Sequence, residues 1–146
     1  MPTSASAARS THELLVDTSV AVPLVIEMHE HHRAVTDAIG ARRIGLAGHA
    51  AFETFSVLTR LPPPMRRRPN DVRQLLSAGF PATRFLGAED AAQLLDRLPG
   101  LRVGGGRVYD ALVGAVATAH GLRLATRDTR ALDTYRALGV DLELIN

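Results

Sequence analysis

Residues 13–25 read ELLVDTSVAVPLV. An apolar run meets one acid, Asp17, and then turns apolar again. Leu14 to Asp17 has the pattern of a short buried strand, and residues 18 to 26 that of a helix, in which Pro23 is an awkward member unless it kinks the segment. A carboxylate carried into such surroundings costs several kcal/mol unless something pairs with it. The sequence offers three kinds of partner: a helix end, an arginine, or a metal ion shared with other acids.

Outward from this stretch, strand and helix patterns alternate. A helix over 29–39 closes at Gly40, a strand follows at Arg43 to Ala47, and a helix over 49–61 is stopped by Pro62, Pro63 and Pro64. Beyond the Arg66, Arg67, Arg68 loop come a helix over 70–78, a strand near 82–86 and a helix over 88–98. The loop Gly104 to Gly106 leads into a long helix, 107–120, closed by Gly121. Leu122 to Thr126 is a strand, 129–138 a helix, and Val140 to Ile145 a last strand. This alternation predicts an α/β fold with a mostly parallel sheet of four to five strands flanked by helices. In such sheets, sites form beyond the carboxyl ends of the strands, where strand order reverses.

Composition narrows the function. The 146 residues are 46% hydrophobic and 22% charged, as expected for one globular unit. No apolar stretch has the roughly 18 residues needed to span a bilayer. Residues 1–12 are small and polar with no apolar signal-peptide core, so they are expected to be a disordered tail before a domain at 13–146, and the protein is expected in the cytoplasm. The chain has no cysteine, which removes disulfides and thiolate metal sites. All seventeen basic residues are arginine. Without lysine there is neither a P-loop nor Schiff-base chemistry. Net charge is +2 and the pI about 9.9, which suits an acidic partner such as RNA. Four Phe and two Tyr are too few for extensive base stacking.

Four acids then fall on one edge. Asp17 ends the first strand, and Asp128 follows the strand LRLAT by two residues. Glu53 lies in the first turns of the helix after the second strand, and Asp110 in the first turn of helix 107–120, which starts from the same edge. Each has a bland reading: Asp17 and Asp128 as helix caps, Glu53 as an exposed helix residue. Asp110 is harder to dismiss, because it is the only charge in VYDALVGAVATA. Two unit charges about 5 Å apart repel by about 3 kcal/mol at an effective dielectric of about 20. Four converging carboxylates therefore call for protons or cations, and Mg²⁺ or Mn²⁺ prefers such oxygen ligands.

These residues carry a resemblance. DTS at 17–19, Glu53 in HAAFETFSVL, Asp110 in GRVYDALVGAVA and TRD at 126–128 resemble the acidic motifs of PIN-domain ribonucleases, in particular the toxin half of bacterial VapBC toxin–antitoxin pairs. The closing ATRDTRALDTYRALGVDLELI is similar to the C-terminal end of that group, and the match covers roughly residues 13–146. The resemblance implies a PIN-like nuclease domain and Mg²⁺- or Mn²⁺-dependent hydrolysis of RNA phosphodiesters, by in-line attack of a water that the cation activates. It implies a homodimer and an inhibitory antitoxin, and no membrane partner. It makes Asp17, Glu53, Asp110 and Asp128 the acidic catalytic and metal site. Thr18, Ser19 and Thr126 are the neighbours whose hydroxyls would bond a ligating carboxylate, a water or a phosphate. Pro23, and Pro62 to Pro64 with the arginine triplet, depart from the pattern and bear on the shape of the partner groove.

Other features carry less. His29, His31 and His32 suggest Zn²⁺ only if more ligands join them; a solvated face is the plainer reading. His49 and His120 have no partner visible in the sequence and read as capping or surface residues. Gly104 to Gly106 follow no strand and lack a phosphate-loop pattern, so a connection is expected. Arg66 to Arg68 read equally as an RNA-tracking or a solvated loop, and Leu24, Val25 and Ile26 as core more than partner groove. Competing functions are a PIN-type nuclease in RNA processing or on DNA without an antitoxin, a PIN-like fold that binds RNA without cutting it, and a phosphate-accepting signalling domain. The last normally needs a lysine beside its acid.

Overall fold

The computed structural model describes residues 13–146; the tail expected over 1–12 lies outside them. Strand β1 is Glu13–Val16 and runs through Asp17 into helix α1, Thr18–Val25. There follow α2 (His32–Ile39), β2 (Arg43–Leu46), α3 (His49–Thr59), α4 (Pro69–Gly79), α5 (Ala88–Leu101), α6 (Arg107–His120) and β3 (Leu124–Thr126). A 3-10 turn at Thr129–Ala131 leads into α7 (Leu132–Ala137), and β4 (Leu142–Leu144) closes the fold.

The four strands are all parallel and lie in the order β2-β1-β3-β4. From β1 the chain goes first to β2 on one side and later to β3 on the other. The order therefore reverses between β1 and β3, and a crevice opens beyond their carboxyl ends. Both faces of the sheet are covered, which is why the central strand runs apolar through Leu14, Leu15 and Val16 rather than alternating. Leu14 and Val16 point into a core shared with Val20, Val35, Leu58 and Val72, whereas Leu15 and Leu124 join Val113, Val116 and Tyr135 on the opposite face. Leu94 of α5 packs with Ala111 and Leu138 in a third, smaller cluster. Ile26 is core, and Leu24 and Val25 pack partly buried against the same cluster.

Three expectations need correction. Residues 82–86 are not a strand. Ala82 and Arg84 donate to Ile44 and Leu46 of β2, but Leu46 N–H turns to the Thr83 hydroxyl at 3.0 Å, and only one bridge, Ala47 to Arg84, forms. A side-chain acceptor has replaced the backbone ladder. The close approach is possible because residue 45 is glycine; a Cβ there would overlap the Ala82 carbonyl and Thr83 N. Next, α2 starts at His32, so His29 precedes the helix and the two share no helical face. The ring Nδ1 of His32 instead sits 2.7 Å from the Pro23 carbonyl oxygen. Last, residues 129–138 divide into a 3-10 turn and a short α-helix, because Asp128 caps the turn. Pro23 itself lies inside α1 near its end.

Arg42, just ahead of β2, grips Glu143 of β4 through two hydrogen bonds of 2.7 Å, with both side chains about three-quarters buried. The Arg42 guanidinium holds the Glu143 carboxyl below the usual carboxylate range. The folded state thus binds fewer protons than the unfolded chain over that window, and the stability the pair adds is present above the unfolded Glu pKa and lost as pH falls through the depressed one. Glu143→Gln is expected to cost about 1 kcal/mol at neutral pH and much less in acid, checked by urea midpoints from pH 7 down to 3. Gly45→Ala is expected to cost more than about 3 kcal/mol, or to prevent folding, measured by thermal unfolding.

Candidate active site

Asp17 sits where β1 becomes α1, and it does two things at once. As the N-cap of α1 its Oδ1 accepts from the Ser19 N–H at 3.1 Å, so the capping reading holds. The same oxygen accepts from the Ser19 hydroxyl at 2.5 Å, while Oδ2 accepts from Thr126 at 2.6 Å and from the Tyr135 hydroxyl at 2.9 Å. The carboxylate is only 5% exposed, yet none of these four donors is cationic. Burial pushes its pKa up, the three hydroxyl bonds pull it back, and the charge of Asp128 adds a further upward push. Burial and the negative charge of Asp17 also drive the Tyr135 hydroxyl far up, so it keeps its proton and acts as donor.

The other three acids line one open cleft of about 960 Å³ together with His49, Arg60, Arg107, Tyr109 and Arg130. Glu53 Oε1 lies 3.1 Å from His49 Nε2, one helical turn earlier, and its Oε2 accepts from the Thr18 hydroxyl at 3.4 Å. Asp128 caps the 3-10 turn by accepting from Arg130 N–H at 3.0 Å. Asp110 has no hydrogen-bonding partner assigned to its carboxylate among the described residues. Burial raises its pKa, followed by the charges of Asp128, Glu53 and Asp17, with Arg130 opposing. The charges of all three other acids are thus felt at Asp110, and Glu53, Asp110 and Asp128 line the same cleft, while Asp17 is buried at the end of β1. Thr126 and Ser19 link the strand ends: Thr126 Oγ1 accepts from the Asp128 N–H at 3.0 Å, and Ser19 Oγ accepts from the Arg127 N–H at 2.8 Å.

The donor chemistry fits a hard divalent cation: four oxygen-only carboxylates, mutual repulsion felt at Asp110, and no thiolate. No three His, Asp or Glu side chains among the described residues are gathered into a finished ligand group. The hydrogen bonds explain why. Glu53 is turned to His49 and Thr18, Asp128 to Arg130, and both Asp17 oxygens are engaged, so closing a shell requires side chains to turn from these partners. The histidines at 29, 31 and 32 form no such group either.

The chain belongs to the PIN-domain family: the sequence matches the PIN domain over residues 14–137. It is 46% identical over 127 residues to Ribonuclease VapC27 of Mycobacterium tuberculosis (strain ATCC 25618 / H37Rv), covering 87% of this chain and 93% of that one. It is 45% identical over 131 residues to Ribonuclease VapC40 of M. tuberculosis (strain CDC 1551 / Oshkosh), covering 88% and 96%. The fold matches that of FitAcB from Neisseria gonorrhoeae with a TM-score of 0.61, at 20% identity over 88% of this chain and 95% of that one. A second solved structure, FitAB bound to an IR36 DNA fragment, matches at 0.59, also at 20% identity, over 90% and 94%.

Some participants escaped the sequence. His49 has a partner after all, and its i,i+4 spacing to Glu53 was a visible signal. His120 likewise contacts the Phe85 carbonyl, at 3.1 Å. Gly104 and Gly106 line the acidic cleft. Arg60, Arg107 and Arg130, rather than Arg66 to Arg68, are the arginines beside the acids; the triplet lines a separate surface with Ile26 and Met28. Tyr135 left no signal, since its tie to Asp17 spans 118 residues. Tyr135→Phe removes one donor from a buried carboxylate and is expected to lower stability by about 1–2 kcal/mol, read from denaturant midpoints at neutral pH.

Proposed function

We propose that this PIN-domain protein is a divalent-metal-dependent endoribonuclease and the toxin of a type II toxin–antitoxin pair. The observation that carries the reading is the cleft itself. Glu53, Asp110 and Asp128 line it, and Asp17 lies at the strand-order reversal with its charge felt at Asp110. The relatives' names support RNA as the substrate. Asp17, Glu53, Asp110 and Asp128 would hold Mg²⁺ or Mn²⁺, which when bound supplies an activated water and neutralises charge growing on the phosphate. The chain's own residues do the rest. Arg60, Arg107 and Arg130 offer planar guanidinium donors to the phosphates on either side of the cut. Ser19, Thr126 and Tyr135 hold the Asp17 carboxylate at the end of β1, and an oxygen released from one of these bonds would reach the cation.

A cognate antitoxin and a second copy of the chain are the proposed protein partners. An apolar groove of about 410 Å³ beside α3 and α4, flanked by the exposed rings of Phe52 and Phe85, supports a protein contact on that face. No described helix is long and apolar enough to cross a membrane, and the cytoplasm, where cellular RNA is at hand, is the proposed location.

Incubation of the purified protein with total cellular RNA is expected to give discrete cuts by end mapping in Mn²⁺ or Mg²⁺, and none with chelator. Asp17→Asn is expected to lower the cleavage rate by about a hundredfold or more while leaving the melting temperature unchanged or raised. The amide keeps an oxygen for the Ser19 donors and offers a donor to the hydroxyls opposite, and a buried charge is gone. Undiminished metal-dependent cutting by the pure variant would sink the assignment of Asp17.

A further inference from the structure

The cleft holds one Phe or Tyr ring. Tyr109 is 52% exposed, directly precedes Asp110, and stacks on the His49 ring with centroids 4.9 Å apart and planes 19° from parallel. Phe52 and Phe85, the other exposed rings, pair with each other at the separate apolar groove. An aromatic ring half open to water costs hydrophobic free energy unless a ligand covers it. The fold also holds this ring in place. Gly48, at φ +51°, starts α3 so close to α6 that a Cβ there would lie 2.7 Å from Val116 Cγ2. That contact brings His49, the first residue of α3, against Tyr109 in the first turn of α6. His49 is in turn held by Glu53 at 3.1 Å. One face of the tyrosine is backed by a fixed ring, its neighbour in sequence is a site acid, and arginines stand on the same walls.

We propose that Tyr109, backed by His49, is a stacking platform for one unpaired nucleobase of the RNA, at a nucleotide flanking the scissile phosphate. The proposal rests on the ribonuclease reading above and adds to it a residue that holds the base, where the acids and arginines hold the phosphate. A paired base in an A-form helix has both faces covered by its neighbours and cannot lie on the ring, whereas an unpaired one can. A platform already held by its neighbours loses little freedom when a base settles on it. The acids and arginines act on the phosphate, which every nucleotide has; the ring acts on the base.

The test uses a short oligoribonucleotide carrying a mapped cut, and versions with an abasic ribose at each flanking nucleotide in turn. With the wild-type protein, one abasic position is expected to lower kcat/KM about tenfold, within the range of a single base–aromatic stack. Tyr109→Leu is expected to lose about the same factor on the intact RNA, and the two losses should not multiply when combined. Tyr109→Phe should stay within about twofold of wild type. Stacking is also read without catalysis: 2-aminopurine at the sensitive position should be quenched on binding to Asp17→Asn protein, and not to the Asp17→Asn, Tyr109→Leu double variant. Losses that multiply at every position, or equal quenching by the two proteins, overturn the platform while leaving the ribonuclease standing. If wild-type protein cuts no RNA, the ribonuclease reading fails instead, and 2-aminopurine placed at each position of a short unpaired RNA in turn, compared between the Asp17→Asn protein and the Asp17→Asn, Tyr109→Leu double variant, still decides whether Tyr109 stacks a base. A melting temperature of Tyr109→Leu within a few degrees of wild type excludes misfolding as the cause; if it falls further, Tyr109→Ser replaces it in both measurements.

Discussion

Asp17 is a charge that the fold carries to the end of its first strand and then surrounds with neutral donors. Its two oxygens accept four hydrogen bonds, from Ser19 N–H, Ser19 Oγ, Thr126 Oγ1 and Tyr135 OH. The donors come from α1, β3 and α7. The carboxylate is therefore the point at which the first and last thirds of the chain are fastened together. An arginine in the same place would neutralise the charge and close the site to other cations. Hydroxyls satisfy the lone pairs without cancelling the charge, so the negative potential remains available to the cleft above.

The contrast with the opposite end of β1 supports this. Glu13, which starts the strand, lies 2.9 Å from Arg84 and 3.9 Å from Arg43. Glu143 is clasped by Arg42. Glu13 and Glu143 are thus matched by arginine, while Asp17 is matched only by neutral groups and Asp110 is pushed up by burial and by three other carboxylates. At Asp17 a buried charge is left without a cationic partner among the described residues. An uncompensated charge of that kind, at the point where strand order reverses, is what supports the proposed cation and phosphate site.

Legibility followed the range of the forces. Strands and helices were readable because apolar periodicity is a local property: Leu14 to Val16 had to be buried on both faces, and the VYDALVGAVATA helix had to be buried on most sides. The misread elements are those where a side chain replaced a backbone partner. At 82–86 the Thr83 hydroxyl took the place of a ladder carbonyl, and at 129–138 the Asp128 cap tightened the first turn. His49 was legible in part, through its spacing to Glu53. Its stacking on Tyr109 was not, because that contact depends on Gly48 letting α3 meet α6.

By itself the sequence singled out the groups proposed to carry the chemistry: four acids, placed by the βα alternation on a common edge, in a chain with no lysine or cysteine to suggest another mechanism. A parallel sheet sends every strand's end the same way, so position along the chain was enough to predict that they share an edge. Only the tertiary structure decided how each acid is held. Hydroxyls surround Asp17, His49 faces Glu53, Arg130 faces Asp128, and Asp110 lines the cleft half-buried, with burial and the other acids' charges raising its pKa. Those partners lie up to 118 residues away, and hydrogen bonds act over a few ångströms whatever the separation in the chain.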